Sequence, residues 1–199
     1  MPKNKENIIF IILIFIFLSI SISDLSLTYI GTPDLTREQN PLVSSFGFDW
    51  SFLIFFNVLF FAIFVACTHY TFVRYKRPIY QCEGIRQFIS MYSFNRPDKF
   101  IWWWYKFPTT KEGWGNLLAL LGYMLTMCSV FIRTLAVIDW IGILSDKPIA
   151  ILRNILTPHK NLVILCIFTA ICFCALWFVK EYINNKRALS KQQDILLIR

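Results

Sequence analysis

The sequence predicts an all-α integral membrane protein. The expected architecture is a four-helix transmembrane bundle with both termini cytoplasmic and a cytoplasmic amphipathic interfacial segment between helices 2 and 3. Three observations carry this reading. Only 16% of the 199 residues are charged and 56% are hydrophobic, whereas a soluble domain carries about 25% charged residues. Four stretches reach the ~20 apolar residues that cross the hydrocarbon core as a helix. Fifteen of the twenty Lys and Arg fall on one side of the topology those stretches define.

The first span covers 8–30 and opens, over 8–20, on nearly pure Ile, Phe and Leu. Lys3 and Lys5 before it and "SIS" at 21–23 also fit a secretory signal with a small-residue cleavage site. The apolar run is long for a signal, so an uncleaved anchor is the better reading. The second span is 50–73, introduced by Asp49, whose carboxylate can accept from free amides at a helix start. The loop 74–115 follows. In it Ile79, Ile85, Phe88, Ile89 and Tyr92 recur at roughly helical spacing among polar residues. Trp102, Trp103 and Trp104 then form an aromatic cluster suited to the headgroup boundary, where an apolar ring and a polar edge are both satisfied. The third span is 116–138, the outer loop 139–161, the fourth span 162–178, and a basic tail occupies 179–199.

Orientation follows from Lys and Arg in short loops. With the N-terminus inside, the inner side carries fifteen basic residues against six acids, and the outer side five against six. The expected location is the plasma membrane, as a multi-pass chain of the prokaryotic inner membrane. It also accounts for the net charge of +8 without a nucleic-acid partner, because basic loops favour anionic lipid headgroups.

Polar residues inside the spans are the candidates for function, since an ionisable group in hydrocarbon needs a partner. In the third span Ala119, Gly122, Thr126, Ser129, Arg133 and Ala136 recur in steps of three and four. That is one helix face, narrow enough for a neighbouring helix to approach. In the first span Ser21, Asp24 and Thr28 share a stripe. At 1.5 Å per residue Asp24 lies about 24 Å along its helix and Arg133 about 25 Å along its own. The two charges therefore reach one depth. They are expected either to form a structural ion pair or to line a polar pocket open to the outer side.

Other chemistry finds less support. The six Cys (67, 82, 128, 166, 172 and 174) avoid the outer loops, which implies no disulfide framework. Cys67 and His69 stand about 200° apart around a helix. The outer carboxylates have no metal-loop spacing, and neither a phosphate loop nor a nucleophile elbow is present. No cofactor, metal or catalytic set is expected.

The run Asp24-Leu25-Ser26-Leu27-Thr28, followed by Glu38-Gln39-Asn40-Pro41-Leu42 and a second apolar helix, resembles a group of small prokaryotic multi-pass membrane proteins catalogued as a domain of unknown function. That group carries D-x-x-x-T at the end of one helix and E-x-N-P at the start of the next outer segment. The resemblance covers about residues 10–73, with a longer and more polar spacer here. It implies that Asp24, Thr28, Glu38, Asn40 and Pro41 act together, and it implies no activity.

The leading expectation is a non-catalytic accessory or assembly subunit of a larger membrane complex, with the lipid bilayer and other membrane subunits as partners. A small transporter or ligand-binding protein, using a polar pocket of Asp24, Thr28, Glu38, Asn40 and Arg133, is the first alternative. A membrane-embedded enzyme on a lipid or quinone-like substrate is the second.

Overall fold

A computed structural model describes residues 3–35, 47, 49–100, 106–147, 149 and 159–197. Among these are five helices: α1 (Lys3–Gly31), α2 (Trp50–His69), α3 (Ile85–Phe94), α4 (Lys111–Leu144) and α5 (His159–Leu197). All but α3 are long and apolar enough to cross a membrane, so the chain is a multi-pass helical membrane protein. The expected aromatic anchor, Trp102 to Trp104, lies outside the described residues.

Each boundary has a local cause. Helix α1 contains no Gly or Pro before Gly31; the Thr32 amide still reaches the Thr28 carbonyl at 2.8 Å, and Pro33 then removes the next donor. Asp49 caps α2 by accepting from the Phe52 amide at 3.1 Å. Helix α2 ends in a wide π-helical turn, Tyr70–Arg74, in which the Tyr75 amide bonds the Tyr70 carbonyl at 2.8 Å. Thr110 caps α4 through the Gly113 amide at 3.1 Å. This helix starts five residues before the expected third span and ends six after it. Helix α5 does not stop at 178. The segment expected as a tail is helical through Leu197, because its charged residues are helix formers and no Gly or Pro interrupts them.

Helix α4 is the axis of the molecule, with α1, α2, α3 and α5 all packed on it. The stripe of small residues explains how α2 comes so close. A methyl group on Gly122 would collide with the Thr71 hydroxyl and lie 2.9 Å from the Cys67 carbonyl oxygen. Thr68 and Thr126, both fully buried, meet hydroxyl to hydroxyl at 2.9 Å, and the Thr71 hydroxyl donates to the Ala119 carbonyl at 3.2 Å. Hydroxyls and glycine are what bring membrane helices together where lipid tails offer no hydrophobic driving force. Between α1 and α2, Phe17 stacks on Phe64 with ring centres 3.9 Å apart.

The amphipathic segment forms a helix where the sequence places one, but its buried face meets protein. Phe88, Tyr92 and Phe94 are buried, and Phe88 and Tyr92 belong to one cluster with Tyr80, Leu120, Tyr123, Trp177 and Phe178 from the 75–82 segment, α4 and α5. Amphipathic spacing identifies an apolar face without saying whether lipid or protein covers it. Asn95 ends α3 in the left-handed region, at φ 55°, which Asn adopts more readily than most residues.

Replacing Gly122 by Leu should therefore wedge α2 from α4. We expect a loss of about 3 kcal/mol, the upper range for overpacking, read as a lower unfolding midpoint in detergent, with Gly122→Ala losing less.

Candidate functional site

Two polar constellations lie at opposite ends of the bundle. At the end where α1 finishes, Asp24 of α1 and Arg133 of α4 face each other, with Arg133 Nη1 3.7 Å from Asp24 Oδ2. That separation is an ion pair and too long for a hydrogen bond. Arg133 Nη2 donates to the Oδ1 of Asn57 on α2. The guanidinium carbon also stands 5.2 Å from the Phe17 ring centre and 5.8 Å from that of Phe60, a cation–π setting for a charge with little access to water. Ser21 and Thr28, on the Asp24 stripe, are both buried. The helix rise thus brings Asp24 and Arg133 together; Thr28 lies one turn further along α1, buried, with its carbonyl bonded by the Thr32 amide, while Glu38 and Asn40 lie outside the described residues.

Asn57 completes this constellation and was not singled out in the sequence. Its signal was a lone amide inside "FLIFFNVLFF". Its Nδ2 donates to the Leu53 carbonyl at 2.9 Å, which leaves Oδ1 pointing at Arg133. Beside it runs a groove of about 490 Å³ lined by Phe60 and Ile63 of α2, Cys128, Ser129 and Arg133 of α4, and Cys166 of α5. The groove is apolar apart from Asn57, Ser129 and Arg133.

At the opposite end, the Asn116 side chain of α4 is the centre of a network. Its Nδ2 donates to the Tyr92 carbonyl at 2.6 Å and to the Tyr80 hydroxyl at 3.0 Å. Its Oδ1 accepts from the Tyr75 hydroxyl at 2.9 Å, a proton Tyr75 shares with the Tyr92 hydroxyl at 3.0 Å. The Tyr92 hydroxyl donates to the Asn116 carbonyl at 3.1 Å and accepts from the Trp177 indole at 3.0 Å. Asn185 of α5 makes a two-bond clamp on the backbone of Tyr80, accepting from its amide at 2.7 Å and donating to its carbonyl at 2.8 Å. Arg77 ties the remaining elements, at 3.1 Å from Glu181 of α5 and 3.3 Å from Glu6 of α1. Nearby Lys180 lies over the rings of Phe72, Tyr123 and Trp177 at 5.3–5.6 Å.

Burial, which disfavours a charged phenolate, pushes the phenols of Tyr75, Tyr80 and Tyr92 above the ordinary tyrosine range; for Tyr75 the neighbouring Tyr92 adds to the effect. These hydroxyls are therefore fixed neutral donors and acceptors. With every Asn116 side-chain hydrogen committed, the network serves to lock the 75–82 segment, α3, α4 and α5 in one register. Among the described residues, no group of three or more His, Cys, Asp or Glu side chains is placed to hold a metal ion.

Comparison of the chain with protein-family models, with curated proteins and with solved structures finds no match.

Two outcomes follow from this geometry. The buried phenols give stability that is complete below the unfolded tyrosine value near 10 and is lost as pH rises through their higher folded values. The unfolding midpoint should stay flat from about pH 7 to 9 and fall above about 10, with a shallower fall in Tyr75→Phe. Asp24→Asn should cost about 3 kcal/mol by leaving a buried guanidinium uncompensated. A double variant that also carries Arg133→Gln should recover part of that loss, as a thermodynamic cycle on detergent-solubilised protein would measure.

Proposed function

We propose that this chain is a non-catalytic accessory or assembly subunit of a larger complex in the plasma membrane, the prokaryotic inner membrane, with both termini cytoplasmic. The orientation rests on charge. The end of the bundle that carries Lys5, Arg74, Lys76, Arg77 and Arg86 also carries Lys186, Arg187 and Lys191, and the positive-inside rule assigns such an end to the cytoplasm.

The observation that carries the subunit reading is the groove beside α4. It is lined by the small side chains of Cys128, Ser129 and Cys166, by Phe60 and Ile63, and by the polar Asn57 and Arg133. Small residues at the contact and a polar group to fix register are the features by which transmembrane helices associate. A partner helix with one hydrogen-bond acceptor suits this surface. The polar residues of the bundle's opposite end support the same reading, because their bonding capacity holds the fold together and leaves little for chemistry.

The same groove supports a second reading, a small transporter or ligand-binding protein, since Arg133 joins it to the Asp24 locus.

Affinity purification from native membranes in mild detergent tests the first reading. The wild-type chain should bring down a stoichiometric membrane subunit, and Ser129→Leu, which fills the groove, should lose it while keeping the wild-type unfolding midpoint. A lone monomer or homodimer after cross-linking in the membrane overturns the proposal. Transport into liposomes that Asp24→Ala abolishes would establish the second reading in its place.

A further inference from the structure

Below the Tyr–Asn network, between the 75–82 segment, α3 and α5, lies a cleft of about 590 Å³. That volume falls in the range of small-molecule sites. Three cations, Arg77, Arg187 and Lys191, line it against one acid, Glu181. Arg77 and Glu181 neutralise each other at 3.1 Å, and Glu181 is buried, so the uncompensated charge of the cleft comes from Arg187 and Lys191. Neither of these is ion-paired among the described residues.

The two cations are placed by the helix. Asn184, Arg187 and Lys191 stand at i, i+3 and i+7 of α5, one stripe facing the cleft. This is the stretch the sequence alone presents as a basic tail, and its helicity is what aligns the three side chains. Arg offers a planar pair of donors that matches a phosphate, Lys adds a mobile point charge, and the Asn amide adds a neutral donor. On the open side Ile79, an exposed apolar residue, lies three residues from Lys76 and just beyond the end of the second candidate span at Arg74. The cleft thus combines a cationic wall with an apolar lip at the boundary of the apolar bundle.

We propose that this cleft is a binding site for an anionic phosphate group, of the kind carried by an acidic phospholipid headgroup or by a soluble phosphate. The proposal is independent of the partner groove, which lies along α4 and shares no lining residue with the cleft. Glu181, held by Arg77, sets the limit of the site on its inner side and favours a ligand whose charge sits toward Arg187 and Lys191.

The test uses the full chain purified in a neutral detergent, with bound species counted by native mass spectrometry and affinity read from thermal shifts. Three probes are titrated: phosphatidylglycerol, inorganic phosphate, and phosphatidylcholine as a zwitterionic control. The expected result is saturable binding of one of the first two in preference to the third. Arg187→Gln combined with Lys191→Gln should weaken it roughly thirtyfold, as the removal of two interfacial basic residues implies. Lys5→Gln combined with Lys76→Gln removes equal charge from the same end outside the cleft and should leave the affinity unchanged. Binding of phosphatidylglycerol that inorganic phosphate does not displace identifies the membrane as the source; displacement identifies a soluble anion. Equal weakening by both double variants, equal binding of all three probes, or no binding of either phosphate probe overturns the proposal.

Discussion

A single amide in a membrane helix has to find partners for three hydrogen-bonding atoms, and in Asn116 that requirement organises one whole end of the bundle. The side chain reaches Tyr75, Tyr80 and Tyr92, and through Tyr92 it reaches Trp177. An unsatisfied polar group in a low-dielectric interior costs about 1–3 kcal/mol. None of these groups can therefore leave without stranding another. The 75–82 segment has no regular secondary structure, yet it is tied down because the backbone of Tyr80 bonds Asn185 and the hydroxyls of Tyr75 and Tyr80 bond Asn116. The π-helical turn that ends α2 makes this possible. It shifts the chain exit at Tyr75 and lets Thr71 and Tyr70 bond carbonyls of α4 at 3.2 and 3.3 Å.

The opposite end is built on a different balance. There one guanidinium, one carboxylate and one amide share a region walled by Phe rings, and the ion pair is longer than a hydrogen bond. A network saturated by short bonds suits a scaffold, whereas Arg133 Nη1, without a hydrogen-bond partner among the described residues and beside an open groove, leaves capacity for another molecule. The groove, and not the Tyr–Asn network, is therefore the surface suited to a partner.

Much of this architecture is readable from the residues. The four spans follow from unbroken apolar windows, and the close contact of α2 with α4 follows from the recurrence of Ala119, Gly122 and Thr126. The approach of Asp24 to Arg133 follows from equal distances along two helices. What escaped has physical reasons. Asn116, Asn185 and Asn57 carry no periodic signal, and the partners of Asn116 and Asn185 in the 75–82 segment lie 41 and 105 residues away in sequence. The burial of α3 depends on what covers its apolar face, which spacing does not encode. Helix α5 runs on past Phe178, where hydropathy falls, because helix propensity does not fall there. The expected roles of Glu38, Asn40 and the three Trp at 102–104 rest on residues outside those described.

The length of α5 has a mechanical consequence. Its 39 residues make a rod of about 58 Å, nearly twice the ~30 Å of a bilayer's hydrocarbon. Trp177, wedged among Tyr92, Tyr123 and Tyr75, sits near its midpoint. A force applied to the far end, around Ser190, reaches the bundle first where Asn185 clamps Tyr80 and Glu181 meets Arg77, and then at Trp177. The turns beyond Asn185 form a short stiff lever whose motion those polar contacts and the aromatic cluster must either resist or relay.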